Sequence, residues 1–388
     1  MVPDYKPLQP SSLAQLTLYF LKLGTIGFGG PIALAAYMER NLVEERGWIT
    51  ELDYKQGLAL AQLAPGPLAA QLAIYLGYVH SGILGATLVG LAFVLPSFLM
   101  VVAISAAYVQ YGGLRWMQAL FYGIGAAVIG IIARSAYILT RREVGNKRLL
   151  WGIYSVMALV TAITRSEIAW LFILSGLIAV AVYAPPRWMP KAVRSFSFLP
   201  WLGILAPQGQ PPVDQGTLWK ILAYFAKAGA FVFGSGLAVV PFLYGGVVKD
   251  FHWLTEKQFI DAVAVAMITP GPVVITVAFI GYLVAGLAGA SLAALGIFLP
   301  VYLFVIIPAP WYRKHGATPK IAAFVEGVTA AAIGAITGAV YVIGGGAIKD
   351  APTTLIALAS LLMLIYTKLP EPLLVILAGA VGLWLFKW

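Results

Sequence analysis

The chain has 388 residues, 61% of them hydrophobic and 10% charged, with a formal net charge of +10 and a mean hydropathy of +0.90. Soluble domains carry about 25% charged residues, so a water-covered globule is excluded for want of charge to clothe it. Zero cysteines exclude disulfides, thiolate metal sites and cysteine nucleophiles.

A membrane protein remains, with room for about ten to twelve helices at about 20 residues per span. Barrels alternate apolar and polar residues, whereas stretches such as Gly82–Val109 run apolar throughout. The expected fold class is therefore all-α and polytopic. The basic net charge has its first explanation in Lys/Arg-rich cytoplasmic loops, and it favours an anionic cargo only weakly. His80, His252 and His315 stand far apart, so no metal site or other cofactor is expected.

Met1–Pro10 is polar, holds three prolines and shows no cleavage signal. Apolar segments follow near 12–38, 56–79, 82–110, 116–139, 149–164 and 167–184. The first carries Lys22 and is interrupted at Gly27-Phe28-Gly29-Gly30-Pro31; the second is interrupted at Ala64-Pro65-Gly66-Pro67. Between them runs a polar connection in which Trp48 suits an interfacial anchor and Thr50 a helix N-cap. Residues 185–214, rich in Pro, Gly, Lys and Arg, read as a linker. Segments near 217–245, 258–282, 285–309, 320–343, 353–367 and 371–387 complete the chain. The last two in each half are near the lower limit for a full crossing, so a short hairpin is an alternative there.

The second set repeats the first. At a shift of 205, Phe20, Lys22 and Gly24 fall on Phe225, Lys227 and Gly229, and Pro65-Gly66-Pro67 on Pro270-Gly271-Pro272. The shift then becomes 204, and Gly77-Tyr78, Leu95-Pro96 and Glu167 meet Gly281-Tyr282, Leu299-Pro300 and Glu371. Shared Lys, Trp, Glu and Pro-Gly-Pro at constant spacing signify duplication, with one repeat over 1–184 and the other over 215–388. Loop charge bears on their orientation. Arg141, Arg142, Lys147 and Arg148 follow the fourth segment of the first half, but Arg313, Lys314 and Lys320 precede the fourth segment of the second. If basic loops share one face, the repeats are inverted.

The breaks are where chemistry is expected. A helix restarting in mid-membrane points unpaired N–H groups and its positive dipole end into a cavity, which is an anion site. Gly and Pro also kink and pack membrane helices without further purpose; four breaks at matched positions argue for the site. Its candidate residues are Gly29, Gly30, Pro31, Pro65, Gly66 and Pro67, with Gly234, Ser235, Gly236, Pro270, Gly271 and Pro272 in the second half. Gln62, Gln71, Thr269 and Thr276 can donate to an oxyanion or merely tie helices together. Lys22 and Lys227 either face the interior and attract the anion or snorkel to an interface. Glu39, Asp261 and Glu326 can carry a coupling proton or pair structurally. Arg134 either lies at the interface or lines the path.

Phe28-Gly29-Gly30-Pro31, the run Ala61–Pro67 with Gln71 and Gly77-Tyr78, and Ile268–Pro272 with Gly281-Tyr282 resemble the chromate ion transporter family in its long-chain, two-domain form, from about residue 12 to the end. The resemblance implies export of chromate across a bacterial plasma membrane, driven by the proton motive force and conferring resistance. Sulfate has the same shape and charge, and the alternative is a carrier or channel for sulfate or another oxyanion. A membrane-embedded enzyme would need clustered His, Asp or Glu, and no dense cluster occurs. The expected partners are the oxyanion, the lipid bilayer and, as an open option, a second copy of the chain, with no nucleic acid.

Overall fold

The computed structural model describes residues 11–28, 30–112, 114–164, 169–184, 215–231, 236, 239–315, 318–367 and 369–385, and every regular element among them is a helix. The first half opens with α1 (Leu13–Ile26), capped by Ser12 through a capping box with Gln15. The chain breaks at Gly27 and resumes as α2 (Gly30–Met38), which loosens into a π-helical turn over Glu39–Glu45. Then α3 (Glu51–Leu63), capped by Thr50, runs to the Pro65-Gly66-Pro67 break.

Both interrupted segments reverse direction at their breaks. In one continuous helix Tyr19 and Arg46 would stand roughly 40 Å apart at about 1.5 Å per residue, yet the Arg46 guanidinium lies 5.6 Å from the Tyr19 ring centre. A β-carbon on Gly57 would overlap the Tyr75 ring, so the arms flanking the Pro-Gly-Pro break also lie side by side. α4 (Leu68–Tyr111) doubles back a third time. Ser81 and Gly82 leave helical geometry, and Gly82 has a φ of 59°, which glycine adopts at little cost. A β-carbon on Gly77 would strike the Gly85 carbonyl, so arms 68–80 and 83–111 are antiparallel. Four half-length helices therefore fill one side of the molecule before the long arm of α4 crosses it. α5 (Arg115–Leu139) returns, followed by α6 (Arg148–Thr164) and α7 (Ala169–Tyr183).

The second half repeats the plan. It comprises α8 (Gln215–Phe231), α9 (Val239–Tyr244) with a π-helical turn over Gly245–Asp250, and α10 (Glu256–Ile268), capped by Thr255. After the second Pro-Gly-Pro break come α11 (Thr276–Ile306), which turns back at Ala285-Gly286, and α12 (Ala309–His315). α13 (Pro319–Ala347), α14 (Ala351–Tyr366) and α15 (Glu371–Leu385) complete it. The expected linker over 185–214 lies outside the described residues.

Among the described residues four stretches are long and apolar enough to cross a membrane, centred on α4, α5, α11 and α13, and shorter apolar helices, α6, α7, α14 and α15 among them, pack beside these. The segments expected at 12–38, 56–79 and 258–282 are re-entrant, because Pro and Gly near their midpoints turn the chain instead of bending it, and that at 217–245 also doubles back, since the Tyr224 hydroxyl donates to the Phe242 carbonyl at 2.9 Å.

The halves are inverted. Thr87, near the start of the long arm of α4, hydrogen-bonds Tyr302, near the end of the long arm of α11, at 2.7 Å. The two equivalent arms thus run antiparallel, which requires a pseudo-twofold axis in the membrane plane. The basic loops agree: Lys147 pairs with Glu326 at 2.6 Å and Arg313 with Asp53 at 3.1 Å, joining loops from opposite halves on one face. Each half also supplies the other's packing. α13 is held between α6 and α7, and α5 between α14 and α15. Glycine lets these backbones meet: Gly334 sits on Tyr154, Gly327 on Ser175, Gly130 on Ala357 and Gly123 on Ala378. Leu84, Leu88, Leu91, Leu95 and Leu99 form an exposed stripe at helical spacing on α4, which suits contact with lipid tails.

The backbone approach at Gly123 leaves no room for a side chain, whereas nothing lies near a β-carbon on Gly152. Gly123→Ala is expected to lower stability by about 1–3 kcal/mol through overpacking, while Gly152→Ala holds or slightly raises it. Thermal unfolding of both variants in detergent micelles checks this.

Candidate functional site

The site lies where the breaks of the two halves meet. Gly271 N–H donates to the Gly27 carbonyl at 3.0 Å, and Ser97, fully buried on the long arm of α4, donates through Oγ to the Pro270 carbonyl at 2.7 Å. The contact is reciprocal across the pseudo-twofold axis. Gly271 faces Ser97, and the equivalent Gly66 faces Val301, 3.0 Å from where its β-carbon would stand; Val301 is the repeat mate of Ser97. The chemistry is unequal, because valine cannot donate. The Pro65 carbonyl is instead satisfied within its own hairpin by Gln71 Nε2 at 2.7 Å.

A cavity of about 540 Å³ opens from this junction toward the face bearing the basic loops. Of the residues singled out in the sequence, the structure brings Pro31, Gln62, Pro67 and Gly236 to its wall, together with Thr269, Gly271, Pro272 and Glu326. No side chain caps the helix turns starting at Pro67 and Pro272, and Leu68, Ala69 and Val273, which carry the first-turn N–H groups, line the cavity. The outer ends of α3 and α10 differ, since Thr50 and Thr255 accept from Asp53 N–H and Gln258 N–H there. Among the described caps of these two hairpins, the uncapped donors lie at the cavity end, where helix N-termini attract an anion.

Other candidates fall elsewhere. Pro65, Gly66 and Pro270 are in the breaks but off the cavity wall, and Gly30 starts α2; Gly29, Gly234 and Ser235 lie outside the described residues. Lys22 and Lys227 are exposed on the outer faces of α1 and α8 and do not face the interior, the first of the two readings. The buried face of α1 is Leu16, Tyr19, Phe20, Leu23 and Gly24, and Lys22 points away from it. Lys227 lies within electrostatic reach of Asp250. Glu39 is half-buried near Tyr54, away from the cavity. Asp261 is buried on α10 and accepts a hydrogen bond from Tyr108 at 2.7 Å. Gln71 and Thr276 are buried, with Thr276 Oγ1 bonded to the Val273 carbonyl.

Glu143 and Glu371, which sequence reasoning did not propose as site residues, complete the mouth with Arg134, Arg142, Lys147 and Glu326. Arg142 pairs with Glu143 at 3.3 Å, Lys147 with Glu326 at 2.6 Å, and Arg134 with Glu371 at 3.8 Å. Arg142, Glu143, Glu326 and Glu371 all line the cavity. Each cation there stands beside a carboxylate, so the mouth is near neutral and the positive field at the floor comes from helix ends. The match of Glu167 with Glu371 was the one available signal for the latter.

Two inverted helical repeats, re-entrant hairpins meeting at mid-depth and a cavity ending on helix N-termini define a membrane transporter of the inverted-repeat class. The chain belongs to the chromate transporter family: the family model described as "Chromate transporter" matches residues 14–180 and again 219–383. It is 62% identical to the chromate transport protein of Cupriavidus metallidurans, over 96% of this chain and 93% of the relative. It is 60% identical to a probable chromate transport protein of Synechococcus elongatus, over 96% and 95%. It is 31% identical to the chromate transport protein of Pseudomonas aeruginosa, over 84% and 80%. No solved structure matches the chain.

The junction itself is testable. Gly271 has a φ of 95° and no space for a β-carbon beside Ser97 Oγ. Gly271→Ala is expected to cost about 1–3 kcal/mol in backbone strain, and Ser97→Ala about 1–3 kcal/mol from the orphaned Pro270 carbonyl. The double variant, which removes the clash, should lose less than the sum of the two. A thermal double-mutant cycle in detergent measures the difference.

Proposed function

We propose that this chain carries chromate across a bacterial plasma membrane, coupled to the proton motive force in the direction of export, and thereby confers chromate resistance. The observation that carries this reading is the convergence of uncapped helix N-termini on one cavity at the meeting of two inverted halves. Chromate is a tetrahedral dianion, and backbone donors arranged around a cavity floor suit its oxygens without a dedicated arginine clamp. Each helix end contributes about 0.3–2 kcal/mol to a bound anion. Two ends together therefore supply roughly 0.6–4 kcal/mol, a range whose upper end reaches the about 4 kcal/mol of a millimolar complex. A carrier that must release its cargo on the far side is served by such modest affinity.

The ion pairs at the mouth have a part in this scheme. Glu326 and Glu371 hold Lys147 and Arg134, so an approaching anion competes with carboxylates for those cations. Sulfate is the second reading, because no group on the cavity wall distinguishes it from chromate by shape or charge. Family members named for chromate make chromate the first cargo to test.

Membrane vesicles containing the chain should move labelled chromate, with flux collapsing when a protonophore abolishes the proton gradient. Flux that persists unchanged would mark a passive channel. Excess sulfate should inhibit at least partly, and Gly271→Val should reduce transport about tenfold or more, as expected when a close backbone approach is blocked. Sulfate flux without chromate flux would establish the second reading, and a Gly271→Val protein that transports normally would remove the junction from the binding site.

A further inference from the structure

The cavity opens on one face, but the pseudo-twofold axis gives it a counterpart on the other. Applying the 204-residue shift backwards to its α13 wall, Val325, Glu326, Thr329, Ile333 and Ile336 become Phe121, Tyr122, Gly125, Ile129 and Ile132 of α5. Applied forwards, Ile138, Leu139 and Arg142 of α5 become Val342, Ile343 and Gly346 of α13. This second wall is covered by α10. A β-carbon on Gly125 would stand 3.1 Å from Ile260, and one on Gly346 would stand 3.1 Å from Glu256. The repeat mate of α10 is α3, which leaves the corresponding space open on the first face. The structure thus holds one vestibule open and its mirror image filled.

What fastens α10 in the closed position is a buried carboxylate. Asp261 is 2% exposed and accepts from Tyr108 on the long arm of α4, whose ring packs edge-on against Phe121 of α5 and Phe279 of α11. Around it, α5 and α11 present those aromatic rings, and the interacting charged neighbour is Lys257, one turn back on α10 itself. Glu256 on the same helix is engaged by Lys249 and Tyr244. A carboxylate so enclosed is costly when ionised and is relieved either by taking a proton or by reaching water. The repeat mate of Asp261 is Gln56, which cannot ionise. Asp261 lies five residues before Ala266, which lines the open cavity, or about 7.5 Å along the helix. Its charge is therefore felt by an anion on the floor.

We propose that Asp261 is the proton-binding group of the transport cycle and, with Tyr108, the latch of a second vestibule on the opposite face. This rests on the transport reading above. When α10 leaves α5, the Tyr108–Asp261 bond breaks and the carboxylate faces water on the second side. There it takes a proton from solution, forming an O–H bond on Oδ, or returns that proton to solvent. Closure with Asp261 protonated carries no buried charge. Closure with it ionised sets a negative charge beside the dianion's site, and that repulsion links the two cargoes, so that one proton accompanies the dianion and the membrane potential drives their net negative charge outward.

The test uses the full chain, which has no native cysteine. In proteoliposomes, D261N is expected to lower proton-driven chromate accumulation by about tenfold or more, within the range of linked binding sites, and D261E to restore it. In weakly buffered detergent solution, chromate binding should evoke a proton uptake or release that D261N lacks and D261E keeps. Thr329→Cys and Ile129→Cys should react with an impermeant thiol reagent from opposite faces, the latter faster in Y108F. Accumulation and proton movement in D261N equal to wild type, or Ile129→Cys reactive only from the face of Thr329→Cys, would overturn the proposal. Wild-type protein that transports chromate with no proton movement overturns it and leaves transport standing. A wild-type chain inert to chromate and sulfate overturns the reading beneath it as well.

Discussion

Backbone that stops being helical at mid-bilayer must satisfy its N–H and C=O groups without lipid's help, and the architecture follows from how these breaks do so. Each half has two such breaks, and neither half supplies enough partners alone. Gly271 N–H therefore reaches Gly27 of the other half, and Ser97 reaches the Pro270 carbonyl. The donors that remain lie along the cavity wall, where water or an anion can take them. Stability and the proposed binding thus draw on one pool of backbone groups. What the halves do not spend on each other is left to the candidate site.

The same junction explains the exchanged packing. Tips can meet at mid-depth only if the long arms of α4 and α11 pass antiparallel, and α5 and α13 then pack against each other. The terminal hairpins then close on whichever long helix is near, which is the other half's. Glycines on α5 and α13 make that approach possible because membrane helices associate through close backbone contact, without a hydrophobic drive of their own. A duplicated sequence has become one body with two similar ends.

Much of this was legible in the chain. The duplication, the positions of the break after Ile26 and of both Pro-Gly-Pro breaks, and the shared face of the basic loops follow from Pro, Gly, Lys and Arg, whose effects on backbone and topology are local. Reversal at the breaks was not legible, since Pro-Gly-Pro between apolar stretches suits a kink and a hairpin equally; the difference lies in Gly57 against Tyr75 and Gly77 against Gly85. The lysines show a similar limit. In a wholly apolar helix, hydropathy does not reveal the packed face, and only the duplicated Gly24 and Gly229, each seated on a backbone of the long arms, pointed away from Lys22 and Lys227. Asp261 could be singled out by scarcity, but its partner Tyr108 stands 153 residues away. Glu371 and Arg142 join the site through a fold that pairs opposite halves, which no local pattern encodes.

An exact twofold would make the two end states equal in energy, with either face open half the time. The differences between the repeats remove that degeneracy. Ser97 ties the second tip across the interface, whereas Val301 offers the first tip only contact, and Gln71 turns that tip's carbonyl bond inward. A neutral hydrogen bond is worth about 1 kcal/mol, enough to shift a balanced equilibrium several-fold without trapping it. Asp261 against Gln56 adds a second asymmetry that varies with proton occupancy. One difference biases the balance in this structure and the other, in the cycle proposed for Asp261, lets that bias be reset, and both depend on near-equivalence of the repeats: small terms decide the balance only where the large ones cancel.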